Sequence, residues 1–404
     1  MGRFERWYKS AGVLRRLLWL AREYKPVIRL GGRVLVLRHA DVIDALERQH
    51  QLSVTGVYAR RMHQTSGDFF LGMDDGRRYR DEERLTRAAM QPGDLDRIRG
   101  LFRRRAEAIV REKQLTGRID VVTDLARAIP LELLSDYFGV PGPSTAQLDN
   151  WMRGLFHYLF FDPGDTERVR TRAQKAGGEL RDYMFELIAE RRALGAPDDT
   201  MLDRMIRSYD DAPDGNLDDD GIVRNIGGLI IGAVDTTAKA TVLALQSLLS
   251  RPQVLRGARD AAREGNRDLL LRYIFEALRF NPFNPVMFRR PSEDTTVGAN
   301  GVQVKANEPV WLSPLLAMFD PRAFEQPGEF RLDRPLSSYI LFGFGLHTCF
   351  GSRINRVTLP ELVAPLLRDD VFRPLRGAAG RVVWDRSDQF PDRWACQLGR
   401  AEQA

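Results

Sequence analysis

From about residue 40 to residue 280, apolar positions recur every three to four residues over long stretches, the period of helices with one buried face. The spacing predicts long polar-faced helices around residues 80–112, 166–195 and 200–208. Ahead of them, residues 27–30 and 34–37 are short apolar runs on either side of Gly31 and Gly32, the pattern of a β-hairpin. Beyond residue 295 the runs shorten again, at 302–304 and 309–312, and a coil rich in proline and aromatic residues follows. The chain therefore reads as mainly α with a smaller β portion. The β-rich part falls mainly at 25–40, 295–315 and the C-terminal region, and the helical part at 40–290 and 350–370. No repeat or low-complexity tract divides it, so residues 1–404 are read as one domain.

The most unusual helical pattern starts at Asp218-Asp219-Asp220, a capping cluster, and runs to about Ser250, about 45 Å at 1.5 Å per residue. Residues 226–234 are apolar on every side, so this helix crosses the interior. Gly227, Gly228 and Gly232 each cost about 1 kcal/mol against alanine, and Asp235, Thr236 and Thr237 are polar groups in an apolar setting. Close packing with a satisfied aspartate accounts for either feature singly but poorly for both together. The combination suggests that Gly232 and Ala233 make room for a flat cofactor. Thr236 is then placed to pass a hydrogen bond while opening the helix locally, and Asp235 to supply protons to a site closed to solvent.

Glu276 and Arg279 are three residues apart, on one face of a helix. Most such pairs are solvated and worth little. Ile274, Phe275, Leu278 and Phe280 surround this one, so it is expected to be buried, with Arg334 as a further partner.

Cys349 lies in the run Phe342-Gly343-Phe344-Gly345-Leu346-His347-Thr348-Cys349-Phe350-Gly351, directly before a predicted helix starting at Ser352. The glycines let backbone approach a bulky flat partner. A thiolate at a helix start is favoured by unpaired N–H groups, which suits a metal ligand. A buried structural thiol, or a nucleophile paired with His347, are the plainer readings. Two cysteines are too few for an iron–sulfur cluster, and the glycine spacing is wrong for a dinucleotide fingerprint. Cys396 sits in an alternating, strand-like stretch and reads as structural.

Composition narrows the setting. Two cysteines in 404 residues leave no disulfide framework and point to a reducing compartment. No apolar run approaches the roughly 20 uncharged residues of a membrane span, and the amphipathic segment at 13–21 lacks a cleavage site, so a cytoplasmic protein is expected. A net charge of +6 is spread along the chain without a basic run interleaved with aromatics. That pattern favours an acidic protein partner over nucleic acid.

Over nearly its full length the chain resembles the cytochrome P450 superfamily, in its soluble bacterial size class. The cysteine loop carries Phe342, Gly345, His347, Cys349 and Gly351 at the fixed positions of the family signature Phe-x-x-Gly-x-His-x-Cys-x-Gly. Residues 232–237 resemble the family's oxygen-activating helix motif, and Glu276 with Arg279 its Glu-x-x-Arg motif. The resemblance implies a haem b (heme b) between the central helix and the cysteine-loop helix, with Cys349 as axial thiolate and iron ligand. It further implies that Phe342 packs near the sulfur, Gly343 and Gly351 pass close to the cofactor, and Ala233 leaves it space. His347 and Arg289 would meet its propionates. Asp235 and Thr236 would form the catalytic acid–alcohol pair, and Arg334 would complete the structural triad.

Two departures from the family pattern stand out. Its usual His-x-x-x-Arg becomes Tyr79 and Glu83, so either Tyr79 contacts a propionate or a one-residue slip brings in Arg80 and Arg84. Met318-Phe319 replaces a polar pair, which is expected to leave a more apolar surface there.

The resulting expectation is a monooxygenase that oxidises a lipophilic small molecule with O2. Electrons would come from NAD(P)H through a ferredoxin or flavodoxin and its reductase. A peroxide-driven peroxygenase and a noncatalytic haem-binding protein are the alternatives. Pocket candidates are Leu229, Thr237, Val286 and Met287, with Phe69, Phe70, Trp151 and the aromatic run 156–161.

Overall fold

The computed structural model describes residues 19–162, 164–211, 215–385 and 389–400. Residues 19–24 are helical; the rest of the amphipathic segment at 13–18, and positions 212–214 of the aspartate-rich loop, lie outside the described residues. Strands β1 (Val27–Leu30) and β2 (Arg33–Val36) pair antiparallel, as expected for a hairpin. Gly31 and Gly32 both have positive φ (57° and 71°), a turn conformation that side chains disfavour. With β3 (Leu52–Ser53), β4 (Met287–Pro291) and β5 (Val310–Leu312) they form one sheet in the order β1-β2-β5-β4-β3. β4 was not legible in the sequence. Cys396 lies in the short strand Ala395–Gln397, fully buried, in keeping with a structural role.

The helical pattern around 80–112 resolves into two helices, α1 (Arg77–Ala88) and α2 (Asp94–Thr116). The break falls at Pro92-Gly93, where proline lacks the N–H a continuing helix requires. Helices α3 (Ala128–Asp136), α4 (Thr145–Phe156) and α5 (Glu167–Ala193) follow.

The central helix is likewise two segments, α6 (Asp219–Ile231) and α7 (Val234–Leu249), not one unbroken rod. Asp218 caps the first through the Gly221 N–H at 2.8 Å. Across the break, the Gly232 and Ala233 amides donate three residues back, to the Leu229 and Ile230 carbonyls. The Thr236 hydroxyl donates to the Gly232 carbonyl. A side chain thus takes a bond that regular helix would give to backbone, and the helix opens at that point. By length and hydropathy 219–249 could cross a membrane, but 83% of its most apolar window is buried within this fold. It is a core helix.

Helices α8 (Pro252–Arg263), α9 (Arg267–Phe280) and α10 (Ser352–Arg368) pack beside α7, and α10 also lies along α2. On α9, Glu276 and Arg279 are both fully buried and joined by two hydrogen bonds of 2.8 and 2.9 Å. Arg279 also donates to the carbonyls of Met318, Pro327 and Glu329. Glu276 accepts from the Arg331 amide, the Tyr339 hydroxyl and, at 3.4 Å, Arg334. Arg334 is the partner expected from the sequence; Tyr339 was not foreseen. Met318 and Phe319 do not form an apolar surface. Met318 is fully buried and the Phe319 ring packs on Phe280 and under the Arg279 guanidinium.

Removing one member of this network leaves a charge buried without its partner, at a cost of about 3–5 kcal/mol. Glu276→Ala is expected to lower the melting temperature sharply and give little folded protein. Tyr339→Phe should cost less, about 1.5–3 kcal/mol, since the carboxylate loses one hydroxyl donor but keeps its two cations. A wild-type melting temperature for Glu276→Ala would mean that the pair carries no structural load.

Candidate functional site

The cysteine loop turns tightly. Gly343 and Gly345 have positive φ (80° and 69°), and the Cys349 amide donates to the Phe342 carbonyl at 2.9 Å. This geometry turns the cysteine toward a cavity of about 280 Å³. Its surface opens on that cavity and not on bulk solvent. Burial pushes the thiol pKa up, while the Gly351 and Ser352 N–H groups and Arg87 pull it back down. The helix start alone therefore does not hold it deprotonated, contrary to the expectation from sequence. A bound metal does so outright.

The opposite wall is the opened stretch between α6 and α7. Gly228, Leu229, Gly232, Ala233, Thr236 and Thr237 all line the cavity. At Gly228 an added Cβ would lie 2.2 Å from the Phe69 ring, so glycine here admits an aromatic side chain. At Gly232 the nearest atom to an added Cβ is the Leu229 carbonyl oxygen at 3.6 Å, which leaves the space free toward the cavity.

Asp235 does not line the cavity. It is buried in an ion pair with Arg127, which also holds Asp149. Burial pushes the Asp235 carboxyl up against the pull of Arg127, and its Oδ2 has no hydrogen-bond partner among the described residues. From Asp149 the contacts continue to Arg153 at 3.3 Å and on to Asp392 at 2.5 Å, both part-exposed. Arg127 was missed in the sequence, as nothing local marks a residue 108 positions away as a partner.

At one end of the cavity sit Arg289 and His347. Both His347 ring nitrogens and the Arg289 Nε are buried without hydrogen-bond partners among the described residues. Burial and then the Arg289 charge push the His347 pKa down to about 4. Buried donors without an acceptor are costly, so this end is built for an anion.

Tyr79 does not reach the cavity. Its hydroxyl donates to the Leu346 carbonyl at 3.0 Å and its ring meets His347 edge-on at 5.6 Å. It buttresses the cysteine loop. Nor does a slip bring in the neighbouring arginines, since Arg80 pairs with Asp75 and Arg84 is exposed. Glu83 pairs with Arg87, whose guanidinium lies over the Phe350 ring at 5.4 Å, beside the cysteine.

Phe69, Phe156, Phe160, Phe161 and Met287 line the rest, joined by Phe283, Asn284 and Phe288. Val286 does not, because bends at 281, 283 and 285 send the chain along an irregular path into β4. Phe70 packs against Tyr79 and Phe350 instead, and Trp151, His157, Tyr158 and Leu159 lie behind the wall.

A soft sulfur on one wall, small residues and an alcohol on the other, and the Arg289 guanidinium beside a neutral, unbonded His347 at one end fit a haem with its two carboxylates. The family model described as Cytochrome P450 matches residues 7–373. Cyclomarin C epoxidase CymV of Salinispora arenicola is 30% identical over 68% of each chain. The steroid C26-monooxygenase of Mycolicibacterium smegmatis is 26% identical over 92% of this chain and 90% of that one. The crystal structure of CalO2 superposes with a TM-score of 0.83 at 23% identity, covering 96% and 98% of the two chains, and shares the fold. With the opened helix, the thiol loop and the buried ion pair all in place, the chain belongs to the cytochrome P450 family.

Proposed function

We propose that Cys349 is the axial thiolate of a haem b and that the protein is a monooxygenase acting on a neutral lipophilic molecule. The observation that carries the reading is that Cys349, Thr236 and the unpaired Arg289–His347 end line one cavity. The balance is R–H plus O2, two electrons and two protons, giving R–OH and water. Haem bound through a thiolate supplies the O2 activation. The rest is done by side chains. Arg289 and His347 would hold the propionates by hydrogen bonds. Gly232 and Ala233 leave the central wall clear. The Thr236 Oγ1 donates to Gly232 and is positioned to release that bond toward a guest in the cavity.

Asp235, linked through Arg127 and Asp149 toward Arg153 and Asp392, is the group that reloads protons from the surface. This acid–alcohol pair supports the O2-driven reaction over a peroxide-driven one. The lining is aromatic and aliphatic apart from a few polar groups, which favours an uncharged guest. The relatives named as an epoxidase and a steroid monooxygenase are consistent with such guests.

Electrons would come from NAD(P)H through a ferredoxin or flavodoxin and its reductase. Arg77, Arg80 and Arg84 are exposed on α1, and Arg87 on the same helix lies over Phe350, next to the sulfur. An acidic carrier docked there would have a short path to the cofactor. A cytoplasmic reaction is the reading that goes with such carriers and NAD(P)H.

Reduced protein with carbon monoxide is expected to show the long-wavelength band of thiolate-ligated haem. Cys349→Ser should abolish it and Cys396→Ser should leave it; the reverse result would reassign the ligand. Arg289→Leu removes a charge-assisted bond worth about 1.5–3 kcal/mol, so haem should pass to an excess of scavenging apoprotein at least about tenfold more readily. Transfer as slow as wild type would remove Arg289 from the propionate site. Thr236→Ala should keep haem and guest binding but slow the proton-dependent step by about 10²–10⁴-fold, with electrons lost to peroxide. Product formed per NAD(P)H consumed is the measure. Wild-type coupling in both Thr236→Ala and Asp235→Asn would sink the acid–alcohol assignment.

A further inference from the structure

We infer that Tyr58 gives the haem carboxylates a further hydrogen-bond donor beside Arg289 and His347; the inference rests on the haem reading above. Two carboxylates present four oxygens. Against them, Arg289 already commits Nη1 to the Phe288 carbonyl at 2.8 Å, and a neutral His347 has one N–H to give. The Tyr79 hydroxyl is spent on Leu346, Arg80 on Asp75 and Arg87 on Glu83. That end of the cavity is short of donors unless another element supplies one.

The helix Thr55–His63 supplies it. Its place beside Arg289 is set by the sheet. β3 pairs with β4 through Ser53 opposite Arg290, the residue after Arg289, and leads into this helix through Val54. A Cβ added at Gly56 would lie 3.2 Å from the Arg290 Cβ, so glycine lets the first turn rest directly on β4. Asp74 fixes the start of the helix, accepting from the Val54 and Thr55 amides at 2.8 and 3.2 Å. Towards its other end, Arg61 donates to the Tyr158 carbonyl at 2.8 Å and to the Asp162 carbonyl. The helix is thus held at both ends, and its side chains are held with it.

Tyr58 lies at the end of the first turn. It lines the same cavity as Arg289 and His347, and its ring packs on Phe160 with centroids 5.4 Å apart. Its hydroxyl has no hydrogen-bond partner among the described residues. Burial pushes the phenol pKa up and Arg289, ahead of Arg61, pulls it back, so the group keeps its proton and stands within the field of Arg289. A phenol beside a guanidinium turns its lone pairs to the cation and its proton away from it. A haem brings a carboxylate to that cation, and a carboxylate is a stronger acceptor than the oxygen of a neutral guest. Tyr58 therefore closes on the cofactor from the side that Tyr79 leaves open.

The test uses haem-loaded protein. Tyr58→Phe removes one oxygen and leaves the ring on Phe160. Loss of a bond to a charged group is expected to speed haem transfer to excess scavenging apoprotein about tenfold or more. The propionate bending band in the resonance Raman spectrum should shift, while the apoprotein melts as the wild type does.

A wild-type transfer rate and band in Tyr58→Phe would overturn the inference. Faster transfer with an unmoved band would overturn it too, since the ring would then only pack. Unchanged transfer with weaker binding of acetophenone, a neutral ketone, read from its spin shift, would hand the hydroxyl to the guest and overturn it. If Tyr58→Phe takes up too little haem to measure, para-aminophenylalanine in place of Tyr58 decides, because it restores a donor at the same point. Recovered loading with a shifted band supports the inference, and no recovery overturns it. A wild-type protein lacking the thiolate band of the carbon monoxide complex would overturn the haem reading, and this inference with it.

Discussion

One buried ion pair organises the half of the site that has little regular structure of its own. Glu276 and Arg279 lie on a rigid helix, and between them they bond the backbone at Met318, Pro327, Glu329 and Arg331 and the side chains of Arg334 and Tyr339. Apart from one 3-10 turn, the coil from 318 to 339 has no ladder or helix, so turn bonds and side chains satisfy its polar groups, and these two charges hold it at several points. The cysteine loop begins three residues later. Desolvating two charges makes such a pair a poor source of net stability in itself. What it supplies is a fixed path for the chain, and with it a fixed position for the sulfur.

The opposite wall follows a different logic. The opening at Gly232 and Ala233 sacrifices regular helix where the helix faces the cavity, and Thr236 satisfies the freed carbonyl. The opened segment presents backbone and the residues Thr236 and Thr237 to the cavity, while their charged neighbour Asp235 turns away into Arg127. That separation keeps the carboxylate out of a space otherwise lined by rings and methyl groups, where a lone charge would be expensive. Thr236 and Asp235 are thus adjacent in sequence but lie on different sides of the wall.

Much of this was legible from residue patterns, because the chemistry concentrates in short motifs. The loop around Cys349, the glycines and hydroxyls at 232–237, and the Glu276–Arg279 spacing each declare themselves locally. What the sequence hid depends on the third dimension. Arg127 meets Asp235 from 108 residues away, and Tyr339 meets Glu276 from 63. A helical period continues across Pro92 although the backbone does not. Tyr79 was expected at a haem propionate and instead braces the cysteine loop. Its hydroxyl serves the Leu346 carbonyl, and the cation that comes nearest the sulfur from α1 is Arg87, two turns further on. Side-chain direction is set by packing, which a periodic pattern does not encode.

The same accounting of buried polar groups bears on what the cavity admits. Arg289 and His347 are the strongest unsatisfied donors in it, and both lie at the end that suits the carboxylates of a haem. With those committed, the remaining polar lining groups are few, and several are already engaged: Thr236 with Gly232, and Asn355 with Thr237 and Gly351. A charged guest would lose its hydration among rings such as Phe156, Phe160 and Phe283. A neutral guest loses little and gains ring contacts, each worth about 0.5–1.5 kcal/mol beyond the area buried. The lining beyond that end therefore offers a guest shape and ring contacts more than charge.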